Sequence, residues 1–409
     1  MIAAILSGIA GTVLYIGSYF WGIFLILGAV LFYLLRMYFL KGREFTVKLL
    51  IRSLKKMALP VFGITVAILI GTVIMLATGY NPLKAYAALF YGGLVKNWHV
   101  SVLNAVPLIF TGLSVALAFQ AGLFNIGAEG QYYIGAMAAT WLAIRFGLPF
   151  GLFIPVIIIA AGAAAASWNL IPAYLKIKTG AHEVVTTMMF AHIARIFSTI
   201  FIRHNGGDPA ISKHPYVTYP ILDSNWFLRF KSFLPDANYR MHIGILLAIL
   251  TALLIWFLLN KTVLGFEIRS IGLNPLAARA QGINVKKTII IALLLAGFLS
   301  GCSGINQVLG LEHKMAQDLN AGYGWNGISV ALLAGNDPIG VIFTALLWGI
   351  LDAGGQYMAR VTGTTNAVIE IIKGVILFLI LAKYIFNYLF VRKRSRNFDK
   401  IKTITGGAL

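Results

Sequence analysis

Residues 289–309, IIIALLLAGFLSGCSGINQVL, contain no charged side chain, and this stretch decides the structural class of the protein. A helix that crosses the hydrocarbon core of a bilayer needs about 20 predominantly apolar residues. Residues 58–78, ALPVFGITVAILIGTVIMLAT, have the same length and the same lack of charge. Neither stretch has the alternating pattern over about 10 residues that is typical of a membrane β-barrel strand. The sequence therefore predicts an all-α polytopic membrane protein.

The composition of the whole chain agrees with that class. Of 409 residues, 59% are hydrophobic and 11% are charged, whereas a soluble domain has about 45–50% apolar and about 25% charged residues. The net charge of +20 is concentrated in the segments 41–56, 261–287 and 392–402. Short basic loops beside membrane spans mark the cytoplasmic side. No basic stripe is interleaved with aromatic residues, so we expect no nucleic-acid partner.

Hydropathy and the basic loops together predict one membrane domain, residues 58–391, with about ten core transmembrane helices. Residues 1–40 are predicted to form an extra N-terminal hydrophobic hairpin. The basic segment 41–57 and the basic tail 392–409 are placed in the cytoplasm, which makes the C-terminus cytoplasmic. The predicted core spans are 58–78, 101–120, 131–146, 149–172, 183–202, 241–260, 288–309, 319–335, 338–358 and 365–390.

The stretch GLFNIGAEGQ, residues 122–131, places polar side chains where two predicted spans meet, toward the cytoplasmic half. Amides and a carboxylate match the hydroxyl groups and ring nitrogens of sugars and nucleosides, so Asn125, Glu129 and Gln131 are candidate substrate-pathway residues. Glu183, an ionisable group at the start of another predicted span, is a fourth candidate. A structural alternative stays open: Glu129 would satisfy backbone N–H groups freed where the glycine-rich segment interrupts its helix.

Other ionisable groups in predicted spans are Arg195, Asp352, Glu370 and Lys373. Such groups cost roughly 2.5–3.5 kcal/mol or more at bilayer depth and usually face a cavity or a partner. Glu370 and Lys373 are three residues apart, so we expect a structural ion pair on one helix face. The small-residue runs at 160–167 and 297–301 are predicted to let neighbouring helices approach closely.

The basic loop 261–287 contains the signature of a short helix between two spans. Asn274 suits the N-cap, Pro275 the first helical position and Gly282 the position after the C-cap. The helix is predicted over Leu276–Gln281, and its small residues would allow close approach to a partner; they are Ala277, Ala278 and Ala280. A solvated interhelical loop is the other interpretation of this pattern.

Four stretches carry a resemblance to a known family. They are AFQAGLFNIGAEGQYYIGAMAA at 118–139, TGAHEVVTTMM at 179–189, GFEIRSIGLNPLAARAQGI at 265–283 and GWNGISVALLAGNDPIGV at 324–341. Together they resemble the permeases of ABC transporters, in the branched-chain amino acid, ribose and simple-sugar superfamily. Within that superfamily the chain is most similar to nucleoside permeases of the guanosine type.

The resemblance implies a permease subunit of an importer in the plasma membrane, working with a second permease, an ABC ATPase and an extracytoplasmic substrate-binding lipoprotein. ATP and Mg²⁺ would bind the partner ATPase, and this chain would hold no cofactor and no metal. It also implies a coupling helix that docks on the ATPase. The coupling residues would be Asn274, Pro275, Leu276, Ala277, Ala278, Arg279 and Gly282.

The sequence agrees with a permease that is not itself an enzyme. A phosphate-binding loop needs GxxxxGK[ST], and no Gly-Lys pair occurs in the chain. No HExxH motif is present. The alternatives for the cargo are a simple sugar of the ribose or galactose type, or another small polar solute such as a flavin. A proton-coupled secondary transporter that uses Glu129 and Glu183 is the remote alternative.

Overall fold

The computed structural model describes residues 63–147, 150–206, 216–230, 240–317, 319 and 322–379, with the side chains of 150–152 excepted. The predicted hairpin at 1–40, the basic segment 41–57 and the basic tail 392–409 lie outside these residues. The chain divides into two units, Met1–Thr65 and Val66–Leu409. All contacts described below lie within the second unit.

The described residues are helical, apart from connecting segments and three isolated bridges. The helices are α1 (Gly63–Ala77), α2 (Pro82–Tyr91), α3 (Trp98–Gln120), α4 (Ala128–Arg145), α5 (Phe150–Thr179), α6 (Glu183–Asn205), α7 (Gly244–Lys261), α8 (Val263–Leu273), α9 (Pro275–Ala280), α10 (Val285–Gln307), α11 (Tyr323–Leu333), α12 (Pro338–Thr362) and α13 (367–379).

Six of the described helices are long and apolar enough to cross a membrane. They are α3, α5, α6, α7, α10 with the π-helical turn that follows it, and α12. A length of 18 or more apolar residues is what a bilayer-spanning helix requires. The prediction of an all-helical polytopic protein is confirmed at this level, and the chain is a multi-pass membrane protein.

Four further predicted spans overlap described helices that are not among these six. They are 58–78, 131–146, 319–335 and 365–390, which correspond to α1, α4, α11 and α13. The prediction for 319–335 was too long, because α11 begins only after Gly322, whose φ of +116° no other residue adopts easily. At 1.5 Å per residue its 11 residues reach about 16 Å, roughly half of the hydrocarbon core.

Two helices were not predicted, and both are specified by local caps. The Asn81 side chain accepts a hydrogen bond from Lys84 N at 3.2 Å and begins α2, with Pro82 at the first helical position. The Thr262 hydroxyl accepts one from Gly265 N at 3.1 Å and begins α8. Each helix is about ten residues long, too short to register as a membrane span.

Helix α10 lies at the centre of the unit, against α3, α4 and α5. Glycine makes this close packing possible. A β-carbon on Gly301 would lie 2.5 Å from the Ala165 side chain, and one on Gly135 would lie 2.4 Å from Gly301 O. The predicted contact through the small-residue runs at 160–167 and 297–301 is therefore confirmed.

One end of the unit brings together the loop after α3, helix α8 and the turn between α11 and α12. A β-carbon on Gly272 would lie 2.1 Å from Gln120 O, and Gly122, with φ +72°, faces the Gly272 Cα. The Gln120 Nε2 donates to Asn336 O at 3.1 Å. The stretch that begins at Gly122 therefore touches the basic loop 261–287 directly.

The opposite end is closed by residues 216–230 and 240–243. The Trp226 ring stacks on the His313 ring, with centroids 3.7 Å apart and planes at 12°. Arg229 Nη2 lies 2.7 Å from His313 Nε2. These contacts tie the connecting segments to the end of α10.

Candidate functional site

The stretch 122–131 leaves α3 at Gly122 and enters α4 at Ala128 through a turn held by two amides. Asn125 Nδ2 donates to Gln131 Oε1, and Gln131 Nε2 donates back to Asn125 Oδ1, both at 3.0 Å. Asn125 Nδ2 also donates to Ser114 Oγ at 3.3 Å. All three side chains are buried. Because the amides satisfy each other, this arrangement holds the loop in place.

Glu129 has a different partner, the beginning of α11. Its Oε1 accepts from Gly322 N at 2.7 Å and its Oε2 accepts from Gly324 N at 2.6 Å. A β-carbon on Gly324 would lie 2.2 Å from Glu129 N, so the backbones of the two helices approach each other closely here. The first N–H groups of a helix lack partners within it, and the helix dipole favours an anion there. Glu129 therefore caps a helix almost 200 residues further along the chain.

A cavity of about 160 Å³ lies between α4, α6 and the start of α11. The residues that line it are Glu129, Ala191, His192, Arg195, Gly322 and Trp325. The rings of His192 and Trp325 have centroids 6.3 Å apart and are inclined by 39°. The cavity thus combines two aromatic rings with a guanidinium group and a carboxylate. Such a site can stack on a planar ring and hydrogen-bond polar substituents.

His192 and Arg195 lie in the middle of α6 and are exposed on the surface of the unit. An arginine at bilayer depth that faces lipid costs roughly 2.5–3.5 kcal/mol or more. This face of α6 is therefore suited to border a water-filled path or a partner subunit. The i, i+3 spacing of the two residues places them on one side of the helix.

Glu183 lies apart from the other candidates. It is at the start of α6, and its carboxylate pairs with Lys176 Nζ at 2.6 Å. The pair joins the last turn of α5 to the first turn of α6 across a three-residue connection. Glu183 does not line the cavity that Glu129 borders. The structure thus places Glu129 at the cavity, Asn125 in the loop before α4, Gln131 in the first turns of α4 and Glu183 in a separate ion pair.

Sequence reasoning missed His192 and Trp325, and noted Arg195 only as an ionisable residue in a span. The available signal was the i, i+3 pair of a histidine and an arginine in the middle of a predicted span. Trp325 carried no signal, because its place beside α6 depends on the position of α11.

The short helix in the loop 261–287 is confirmed as α9. Asn274 Oδ1 accepts from Leu276 N and Ala277 N at 3.0 and 3.1 Å, Pro275 is the first helical residue, and Gly282 has φ +85°. The proline occupies the first helical position as predicted, and the helix ends at Ala280, one residue before the predicted end.

The exposed surface where α8 ends and α9 begins is partly apolar. Leu273 and Leu276 are 88% and 80% exposed, whereas Ala278 is only 2% exposed. The expectation that Ala278 offers its surface to a partner needs correction, because this alanine packs inside the unit. Ala277, Arg279 and Ala280 are exposed. Leu273, Leu276 and Arg279 together present two apolar side chains and one positive charge at this surface.

The predicted ion pair between Glu370 and Lys373 is confirmed, with Nζ and Oε1 3.0 Å apart. Lys373 also bonds to Asp352 of α12, which the sequence had not paired. Lys373 is buried, so its two carboxylate partners compensate a charge inside the helical unit. Among the described residues, no group of three or more His, Cys, Asp or Glu side chains could hold a metal ion.

The model of the family described as "Branched-chain amino acid transport system / permease component" matches residues 97–381. The chain belongs to this family. The match covers the cavity, the stretch 122–131 and helix α9, so these features lie within the permease component.

Individual relatives resemble the permease over most of its length. The guanosine ABC transporter permease protein NupP of Bacillus subtilis (strain 168) is 32% identical over 358 residues, covering 85% of this chain and all of the relative. The nucleoside ABC transporter permease protein NupB of Lactococcus lactis subsp. cremoris (strain MG1363) is 33% identical over 347 residues, covering 83% and 95%. The glucose ABC transporter permease protein TsgB13 of Haloferax volcanii is 31% identical over 339 residues, covering 80% and 88%. No solved structure matches the chain.

Proposed function

We propose that this permease is the transmembrane subunit of an ABC importer that moves nucleosides across the plasma membrane. ATP, with Mg²⁺, is hydrolysed on a separate ATPase subunit. The observation that carries the proposal is the cavity beside α6, where Trp325 and His192 lie near Arg195 and Glu129. A nucleoside has a planar base for the rings and ribose hydroxyls for the charged groups. The names of two similar permeases support the same cargo.

The substrate path in this proposal follows the exposed face of α6. Arg195 and His192 border the path, and Glu129 lies at its edge while it holds the start of α11. Asn125 and Gln131 act one step away, by fixing the loop to the start of α4, which carries Glu129. Glu183 contributes through its ion pair with Lys176, which sets the hairpin between α5 and α6.

Helix α9 is the docking element for the ATPase in this proposal. Its exposed residues Leu276 and Arg279, together with Leu273 at the end of α8, fit a groove that is apolar with an acidic edge. Asn274, Pro275 and Gly282 specify the ends of the helix, so they keep this surface in place. Ala277 leaves room for close approach, whereas Ala278 secures the helix to its own unit.

A chain of direct contacts can transmit ATPase closure from α9 to the cavity. Movement of α9 displaces α8, whose Gly272 lies against Gln120 and Gly122. The loop that starts at Gly122 is held by the amide pair and leads into the first turn of α4, which contains Glu129. Glu129 in turn holds the first N–H groups of α11, next to Trp325. A shift at the docking helix therefore changes the geometry of the cavity.

The complete importer has a second permease, the ATPase and an extracytoplasmic substrate-binding lipoprotein, in contact with membrane lipid. In the proposed topology about ten core helices cross the membrane, residues 1–40 add a hairpin, and the C-terminus is cytoplasmic. The positions of the basic loops support this orientation. The lipoprotein would dock at the end that carries residues 216–230.

A transport assay with cavity variants tests the proposal. The four-component importer is reconstituted in proteoliposomes, and ATP is supplied on the side of the membrane that the ATPase faces. Uptake is measured with labelled guanosine, uridine, ribose, glucose and riboflavin. Trp325→Leu should raise the KM for nucleosides about fivefold or more, since stacking on a base is worth roughly 1–3 kcal/mol. Trp141→Leu, an exposed tryptophan on α4 away from the cavity, is the control.

The alternative cargo is a simple sugar, which the similarity to a glucose permease favours. A sugar permease would take up ribose or glucose in preference to nucleosides. In that case Trp325→Leu would reduce uptake of the free sugar, and nucleosides would not compete.

A further inference from the structure

An apolar groove remains between α7 and α10. Helix α7 packs against α3, and α10 packs against α3 and α5, so the two helices leave a gap beside Phe110 of α3. The groove encloses about 340 Å³. Its body is aliphatic and aromatic, with lining residues that include Leu250, Leu254, Leu295, Phe298 and Leu299.

One end of the groove has a buried amide that nothing in the described structure satisfies. Asn306 is 2% exposed, and neither its nitrogen nor its oxygen has a hydrogen-bond partner among the described residues. It lies beside Gly244, where a β-carbon would come within 1.9 Å of Asn306 Oδ1. A buried polar group without a partner is unfavourable, so this amide fits a ligand that brings a polar atom.

Water is a poor occupant of this groove. A buried water molecule needs two to four polar partners. Besides Asn306, the lining offers the Thr251 hydroxyl, which already donates to Leu247 O at 2.7 Å, and the Cys302 thiol. The occupant must therefore be apolar along most of its length and polar at the end near Asn306.

The length of the groove matches one leaflet of a bilayer. From Leu295 to Asn306 there are 11 helical steps, which correspond to about 16 Å at 1.5 Å per residue. Half of a hydrocarbon core of roughly 30 Å is about 15 Å. Asn306 lies one residue before the end of α10, near one end of the charge-free stretch 289–309.

We propose that this groove binds one acyl chain of a membrane phospholipid. The Asn306 Nδ2 donates to the ester carbonyl oxygen, and the chain extends between α7 and α10 toward Leu295. The lipid comes from the leaflet at the N-terminal end of α7. It fills the gap between the two helices and joins α7 to the centre of the unit. This site is separate from the cavity beside α6, and it does not depend on the identity of the cargo.

Photolabelling of the full-length permease with its partner subunits, in phospholipid nanodiscs, tests this site. The probe is phosphatidylcholine with a diazirine on one acyl chain, and labelled peptides are identified by mass spectrometry. Label is expected on 247–255 and 295–306. Thr251→Trp, which fills the groove, should reduce this label, whereas Leu253→Trp should leave it unchanged because Leu253 is exposed on the same helix outside the groove.

The ester contact has its own test. Asn306→Leu should lower the label about fivefold, which is about 1 kcal/mol at 1.4 kcal/mol per tenfold, the contribution of one hydrogen bond. Unchanged labelling in Asn306→Leu would overturn the ester assignment.

Equal labelling in Thr251→Trp and Leu253→Trp would overturn the proposal that the groove binds an acyl chain. So would cross-links from the groove to residues 1–40 or to a second copy of the chain in place of lipid. If Thr251→Trp does not assemble, as judged by size-exclusion chromatography, Leu254→Trp replaces it, because that lining residue is half exposed. Guanosine uptake is measured in parallel, so loss of lipid label with transport retained separates this proposal from the proposed function.

Discussion

Replacement of Glu129 by glutamine is the most informative perturbation of the candidate site. The carboxylate accepts from both Gly322 N and Gly324 N, and it is 4% exposed. A glutamine side chain keeps one acceptor oxygen but turns an NH₂ group toward the other glycine N–H. One charge-assisted bond, worth roughly 1.5–3 kcal/mol, is lost. The negative charge at the N-terminus of α11 is lost as well, worth roughly 0.3–1 kcal/mol.

The sum predicts that Glu129→Gln destabilises the permease by about 2–4 kcal/mol. The assay is thermal unfolding of the purified complex, followed by intrinsic tryptophan fluorescence, together with guanosine uptake. Glu312→Gln is the matched control, because that carboxylate accepts one long bond of 3.4 Å from Gln307. We expect the control to change stability by less than about 0.5 kcal/mol, since glutamine can still accept that bond.

The result also separates the two interpretations of Glu129. If the carboxylate caps α11, its replacement lowers both the stability of the permease and the rate of transport. Full stability with transport abolished would refute the capping argument and make Glu129 a substrate-contacting group alone. Full stability with full transport would refute any role for the two hydrogen bonds.

Three further predictions address docking, coupling and pH. Leu276→Ser should uncouple ATPase activity from transport, because it weakens the docking of α9. Leu83→Ser is the control, at a residue of α2 that is 83% exposed, and it should leave coupling intact. Intact coupling in Leu276→Ser would contradict the proposal that α9 docks on the ATPase. Gly272→Ala should impair the coupling of ATPase activity to transport, because its β-carbon would lie 2.1 Å from Gln120 O. Gly374→Ala serves as the control, because its β-carbon would meet no atom within 4 Å. Burial, with the positive charges of Arg229 and Arg240, lowers the pKa of His313 to about 4. This folded-state pKa is below the usual 6.5, so the contribution of His313 to the free energy of unfolding should be complete above pH 6.5 and decrease between pH 6.5 and 4. Thermal unfolding measured against pH should show this decrease. His313→Gln should make the decrease smaller, whereas His204→Gln, at an exposed histidine, should not.

Much of the fold could be predicted because membrane helices leave a strong local signal. The charge-free stretch 289–309 and the small-residue runs needed only composition and spacing to be interpreted. The caps of α9 were equally local, since Asn274, Pro275 and Gly282 act within a few residues of themselves. The late start of α11 was missed because it depends on the conformation at Gly322 rather than on hydropathy.

The candidate site could be predicted only in part, because its contacts join distant segments. The polar character of 122–131 was visible, yet the partner of Glu129 is almost 200 residues away. The amide pair of Asn125 and Gln131 requires the turn that only the folded loop provides. Trp325 becomes a cavity residue through its proximity to His192, and a single sequence carries no such information.

Nucleoside uptake by proteoliposomes tests whether the permease belongs to an ATP-driven importer, when the vesicles contain the permease, its second permease, the ATPase and the binding lipoprotein. Labelled guanosine should accumulate only with ATP, should persist when a protonophore is added, and should stop when the phosphate-binding lysine of the ATPase is replaced. Uptake that survives loss of the ATPase and collapses with the protonophore would contradict the account and indicate a proton-coupled transporter.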